Sequence, residues 1–222
     1  MKKVVLFIVE GSSDMLSIDS IVGRLISGDE LRFQIVNGDL TANHSNNLSN
    51  ILARIYQQVK LSMARYRYRK EDFQEIVHLV DTDGVFIPKK AVTFEDCENP
   101  IYTETGIQTK KVDKLQKRNA HKASLLKKLS QTKNINKIPY SVYFFSSNLE
   151  HVLHQDANVS PRQKRILADQ FMEEYYGKEE EFLKFIKNKE IAAKGTYEQS
   201  WEFIEENKNS LKRYSNFHLF FS

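Results

Sequence analysis

Glu10, Asp81 and Asp83 are the residues of this chain whose types and spacing best suit chemistry. Glu10 closes the apolar run Val-Val-Leu-Phe-Ile-Val, and Asp81-Thr-Asp83-Gly84 closes a second run over 75–80. In a parallel sheet, acids that follow strands gather on the carboxyl edge, where ligands bind. Three carboxylates there repel one another unless a hard cation neutralises them. Mg²⁺ takes such oxygen ligands while keeping waters and substrate phosphates in its shell, so the trio reads as a site for Mg²⁺ or Mn²⁺. Gly11-Ser12-Ser13 adds backbone N–H groups that suit a phosphate if a helix starts there. Taken singly, each acid also reads as a helix cap or a turn residue.

The elements that must position these acids alternate. The run over 4–9 is a strand covered on both faces. Met15, Leu16, Ile18, Ile21, Val22, Leu25 and Ile26 recur at helical spacing, with Ser13 or Asp14 as cap and Gly28 as stop. A strand over 31–36, a turn at Asn37-Gly38-Asp39, a helix over about 48–68 and a strand over 75–80 follow. Residues 85–109 predict a long loop or insertion, 110–130 a basic helix, 140–145 a fourth strand and 148–154 the start of a helix. Further helices are expected over 161–176, 179–189 and 197–208. This order predicts an α/β fold with a doubly wound, mainly parallel sheet. Its expected division is an α/β domain over 1–155 and a helical C-terminal extension over 156–222 packed on it.

Composition narrows the function classes. The 222 residues carry a formal net charge of +4 and a single cysteine, Cys97. One cysteine excludes an internal disulfide and any cysteine-based zinc cluster, and it points to a reducing compartment. The first apolar run is too short for a signal peptide, and no stretch has the roughly 20 apolar residues of a membrane span. A cytoplasmic protein without a membrane partner is expected. The positive charge is concentrated: Lys110, Lys111, Lys114, Lys117, Arg118 and Lys122 crowd one predicted helix, a pattern that suits nucleic-acid phosphates or a solvated helix face. Arg65-Tyr-Arg-Tyr-Arg-Lys70 alternates bases with aromatics and reads as a solvated helix end.

A strand ending in Glu10-Gly-Ser-Ser-Asp14, followed in order by one ending in Asp81-Thr-Asp83-Gly, resembles the Toprim domain of topoisomerases, bacterial primases and the OLD-type and RloB-like nucleases. The resemblance covers roughly residues 1–155. It implies a Toprim-like fold in which Glu10 is a ligand or general acid/base, Asp81 and Asp83 hold Mg²⁺, and Asp14 serves a second ion. Phe145-Ser-Ser-Asn-Leu-Glu150 resembles the further acidic segment of the OLD-type proteins, which makes Glu150 an implied ligand and Ser146 or Ser147 a neighbour. Lys194, in Ala-Ala-Lys194-Gly-Thr, is the implied catalytic lysine. The implied reaction is hydrolysis of DNA or RNA by two ions about 4 Å apart, in a phage-defence or mobile-element setting. No Gly-x-x-x-x-Gly-Lys-Ser/Thr loop is present, so the resemblance implies a stand-alone Toprim protein or one working with a separately encoded ATPase.

Two other readings stand beside this one. Asp81-Thr-Asp83-Gly also resembles the opening motif of HAD phosphatases, with Asp81 as nucleophile. A Toprim-like module that binds nucleic acid or a partner protein without cutting is the second. Glu150, His151 and His154 have helical spacing for zinc but lack the His-Glu-x-x-His order. Trp201, Phe203, Ile204 and Leu211 read as core. The apolar end, 217–221, must pack back on the domain or on a second subunit in a homodimer.

Overall fold

A computed structural model of the protein, describing residues 3–26, 30–36 and 38–222, makes the first apolar run strand β1 (Val4–Val9), buried along its whole length. The helix stop expected at Gly28 and the Asn37 end of the expected turn lie outside the described residues. Helix α1 (Ser12–Leu25) leads to β2 (Glu30–Ile35), α2 (Ile51–Tyr66) to β3 (Phe73–Asp81). Residues 85–109, expected as a loop, carry three short strands: β4 (Val92–Thr93), β5 (Ile101–Thr103) and β6 (Gly106–Gln108). Runs of two or three residues are too short to show an alternating pattern. Their small sheet, in the order β4-β6-β5, packs Val92 and Ile107 against Leu115 and Leu211.

Helix α3 (Val112–Ser130), the hairpin strand β7 (Asn134–Ile135) and β8 (Ile138–Phe145) complete the main sheet, whose order is β2-β1-β3-β8-β7. The first four strands are parallel and β7 is antiparallel to β8. Ile8 lies beside His78 and Asp81 beside Phe145. The chain leaves β1 toward β2 and then crosses back over β1 to reach β3. The strand order therefore reverses between β1 and β3, and such a switch point opens a crevice at the carboxyl ends.

Alternation along β1 feeds two cores. Val4, Leu6 and Ile8 meet α2 and α3, while Val5, Phe7 and Val9 meet α1. Beyond β8 stand α4 (Leu149–His154), α5 (Pro161–Tyr175), α6 (Glu179–Ile186) and α7 (Tyr197–Glu205), giving seven α-helices among the described residues. The later elements enter both cores: Trp201 and Ile204 on the α2 and α3 face, Phe171, Phe182 and Phe217 on the α1 face. Phe217 meets Phe7 and Phe145 edge-on, with centroids 6.2 and 5.9 Å apart. The apolar end thus packs back on its own sheet.

The outer edge of β8 is satisfied by side chains where β7 stops. Tyr197 Oη accepts from Val142 N–H at 3.1 Å and donates to Val142 O at 3.0 Å. Asn216 Oδ1 accepts Phe144 N–H at 2.8 Å. An edge closed this way offers no template for another strand. Among the described residues no helix is long and apolar enough to cross a membrane.

Candidate functional site

Glu10 is the first residue after β1. Gly11, in extended conformation, caps α1, and the expected cap Asp14 instead stands at the third helical position and accepts Gly11 N–H at 2.8 Å. This reach back by an acid is half of a capping box. It leaves the N–H groups of Ser12 and Ser13, not of Gly11, for an anion.

The Asp81-Thr-Asp83-Gly84 segment turns sharply. Thr82 is buried, Asp83 and Gly84 both have positive φ (48° and 62°), and Val85 N–H bonds Thr82 O at 3.0 Å. A turn of this hand favours Asp-Gly. A Cβ on Gly84 would also lie 2.4 Å from Leu211 Cδ2. The turn is pinned by Asp83 N–H to Ser147 O, 2.7 Å, and Ser147 N–H to Thr82 Oγ1, 3.0 Å. Ser146 donates its hydroxyl to Asn209 O at 2.9 Å and Ser147 is itself buried, so both serve the scaffold.

The carboxylates converge as the topology requires. Glu10, Asp14 and Asp81 line one small cavity, about 10 Å³, floored by Ile18, Leu79, Phe145 and Leu149. Asp81 Oδ1 accepts Leu149 N–H at 2.9 Å. Glu150, 3% exposed, faces the same group; its Oε2 accepts from Lys164 Nζ at 2.9 Å while its Oε1 is buried without a partner. Glu10 Oε1 is likewise buried and unpartnered. Burial, then the charges of Glu10, Asp14, Asp83 and Glu150, push the Asp81 carboxyl well above the ordinary range. Burial first and Asp39 next do the same for Glu10, against the pull of Lys122. Asp14 is also raised, mainly by burial.

Asp83 has a different surrounding. Its Oδ2 accepts from Lys122 Nζ at 2.8 Å and lies 3.6 Å from Arg118 Nη1. Lys122 Nζ also donates to Asp39 Oδ2 at 2.5 Å. Asp39 sits after β2 with its Oδ1 fixed by Thr41 N–H and hydroxyl. Burial would raise the Asp39 carboxyl, but Lys122 and Thr41 outweigh it and hold Asp39 at about 2. Burial lowers Lys122, yet Asp83, Asp39 and Glu10 together raise it well above its usual value.

Lys122 is therefore corrected: expected on a nucleic-acid-binding surface, it has no exposed surface at all. Arg118 also turns inward, toward Asp83 O at 3.2 Å. Lys110, Lys111, Lys114 and Lys117 remain exposed at the start of α3. Lys194 is exposed and makes no ion pair among the described residues; the lysines that meet the acids are Lys122 and Lys164. His154 packs edge-on against Phe171, 5.7 Å between centroids, as a packing residue.

The sequence reading missed Asp39, Lys122 and Lys164 as members of the site. Asp39 was legible, because it follows a parallel strand just as Glu10 does. Lys122 was legible in the stripe Leu115, Asn119, Lys122, Leu126, Leu129, whose spacing of three and four marks the inward face of α3. Lys164 had no local signal.

The donor set fits a hard cation: oxygen ligands only, two of them buried and unpaired, with more negative than positive charge at the edge. Among the described residues no three His, Cys, Asp or Glu side chains are already closed on one point. Asp14 and Glu150 are held by Gly11 N–H and Lys164, and closing a shell requires one of them to turn. A cleft of about 360 Å³ lined by Asp39, Asn43, Ser45, Arg54 and Gln57 adjoins the edge. A larger cavity, about 680 Å³, between α3, β8 and α7, shares no residue with the acids, and its Lys127 and Glu205 pair with each other at 2.6 Å. The acidic edge is preferred as the site because Glu10 Oε1 and Glu150 Oε1 are buried there without a partner. The chain matches no protein-family model, no curated protein and no solved structure.

Proposed function

We propose that the protein is a divalent-cation-dependent nuclease of Toprim type that hydrolyses phosphodiester bonds of DNA or RNA at the edge formed by Glu10, Asp14, Asp81, Asp83 and Glu150. One observation carries the reading: Glu10 and Asp81, from adjacent strand ends far apart in sequence, share one cavity in which Glu10 Oε1 has no partner. A buried, unneutralised carboxylate pair is costly, and such costs concentrate at functional sites.

Glu10, Asp81 and a reoriented Asp14 or Glu150 are the residues that would hold the cation. When bound, it would polarise a phosphoryl oxygen and lower the pKa of an attacking water. Glu10, whose Oε1 has no other partner, suits the transfer of a proton to or from that water. Ser12 and Ser13 N–H groups face the same edge and suit a phosphate oxygen. The adjoining cleft, with Arg54 and several side-chain amides, supports a strand running past Asp39. The exposed Lys110, Lys111, Lys114 and Lys117 supply phosphate contacts at longer range.

A phosphatase using Asp81 as nucleophile would leave the buried Glu10 beside it without a role, which favours the ligand role for Asp81. The test is cleavage of single- and double-stranded DNA and RNA in Mg²⁺ or Mn²⁺. Loss of cleavage in folded Glu10→Gln and Asp81→Asn variants is expected. Undiminished cleavage in both variants would sink the proposal.

A further inference from the structure

Of the charged groups at the acidic edge, Lys122 is the most completely enclosed. It has no exposed surface, and Nζ lies 2.5 Å from Asp39 Oδ2 and 2.8 Å from Asp83 Oδ2. A point charge between two carboxylates from the ends of β2 and β3 is the arrangement a bound cation would make. Lys122 comes from α3 and is not part of the lining of the cavity that Glu10, Asp14 and Asp81 share. Arg118 adds a second positive group 3.6 Å from Asp83. Asp39 and Asp83 thus already have their counter-charge, whereas the unpartnered oxygens belong to Glu10 and Glu150.

We infer that Lys122 is a built-in cation that takes the place of one of two divalent ions, so that the edge binds a single divalent ion on its Glu10–Asp81 side. The inference rests on the proposed metal-dependent reading and departs from its two-ion form. Lys122 is a positioning residue here: it fixes Asp39 and Asp83 and touches no substrate. The lysine gives what a second ion would give electrostatically, but its tetrahedral ammonium has no open coordination position for a water or a phosphate oxygen. Water activation then falls to the one ion and to Glu10.

The distinction is measurable without any activity. Mn²⁺ binding to the full chain, followed by electron paramagnetic resonance and calorimetry, is expected to give one ion per chain. Asp81→Asn is expected to weaken that ion by well over about 100-fold, while Asp83→Asn keeps one ion with a loss of about 10- to 100-fold at most, the range of a residue outside the ligand shell. Lys122→Met, which frees Asp39 and Asp83, is expected to take up two. Two ions in the wild type, loss of the ion in Asp83→Asn, or a single ion in folded Lys122→Met would each overturn the inference. If Lys122→Met does not fold, the wild-type count and Asp83→Asn decide. No ion bound by the wild type at all would instead sink the metal-dependent reading itself.

Discussion

Lys122 Nζ donates to Asp83 Oδ2 at 2.8 Å from a position with no exposed surface. The pair joins a helix that carries much of the chain's positive charge to the turn that carries its acidic motif. A buried ion pair adds little when intact, because both ions lost their hydration, but breaking it leaves a charge stranded. Lys122→Met is therefore expected to cost about 3–5 kcal/mol, measured by urea unfolding in the absence of divalent ions. A cost below about 1 kcal/mol, the value of an exposed pair, would mean that the lysine is not enclosed in solution.

The same network sets an acid limb of stability. Asp39 is held at about 2 against an ordinary 3.8, so its folded form binds protons less readily than the unfolded chain. Its contribution is present above about pH 4 and is lost as pH falls toward 2. The difference corresponds to roughly 2 kcal/mol. Asp39→Asn should flatten the unfolding free energy over that window relative to the wild type. An unchanged slope would show that Asp39 is not paired.

Glu10 and Asp81 act in the opposite direction. Both are raised, first by burial, so the folded chain binds their protons more readily than the unfolded one. Without a cation, stability is highest below about pH 4 for these two groups and falls as pH rises through their folded values. Glu10→Gln or Asp81→Asn should then stabilise the ion-free protein at pH 7.5 by about 0.5–2 kcal/mol, as relief of strained sites commonly does. Destabilisation by both variants would refute the claim that these carboxylates are uncompensated.

A divalent ion should reverse that penalty. At 100 times its dissociation constant, Mg²⁺ or Mn²⁺ stabilises by about 2.7 kcal/mol, read as a rise in melting temperature. Protons compete for Glu10 and Asp81, so the rise should be larger at pH 8 than at pH 5.5, and Asp81→Asn should abolish it. A shift equal at both pH values would place the ion elsewhere.

Much of this was legible in the sequence, and what was not has physical reasons. Buried parallel strands are continuous apolar runs, so β1, β3 and β8 and the acids after β1 and β3 could be read directly. Lys122 was misassigned because charge was counted along the chain without regard to which face of α3 each residue occupies. Lys122 lies on the Leu115–Leu126 stripe, and only Lys110, Lys111, Lys114 and Lys117 keep the exposure that a phosphate contact needs. The Lys164–Glu150 pair could not be read from either segment, because it depends on α5 docking beside α4.

The corrected basic face makes its own prediction. Neutralising Lys110, Lys111, Lys114 and Lys117 together should lower the slope of log affinity against log salt for duplex DNA by about 3–4, near 0.9 per contact. The melting temperature should stay within a degree or two, because solvated lysines contribute little to folding. An unaltered salt slope would return this face to a solvated helix surface.

Phe217 tests whether the last third of the chain folds with the sheet or beside it. The ring is fully buried, packed edge-on against Phe7 of β1 and Phe145 of β8, far away in sequence from both. Phe145 also floors the cavity beside Asp81, and Ser215, two residues before Phe217, gives its hydroxyl to Phe144 O at 2.7 Å. Truncating a ring so placed costs its transfer energy plus a cavity term, so Phe217→Ala should lose about 3–5 kcal/mol in a single unfolding transition. Because the lost packing lies behind the cavity floor, the Mg²⁺-dependent rise in melting temperature should shrink with it. A two-step transition, with the metal effect confined to one step, would instead mean that the segment holding Phe217 unfolds independently of the acidic edge.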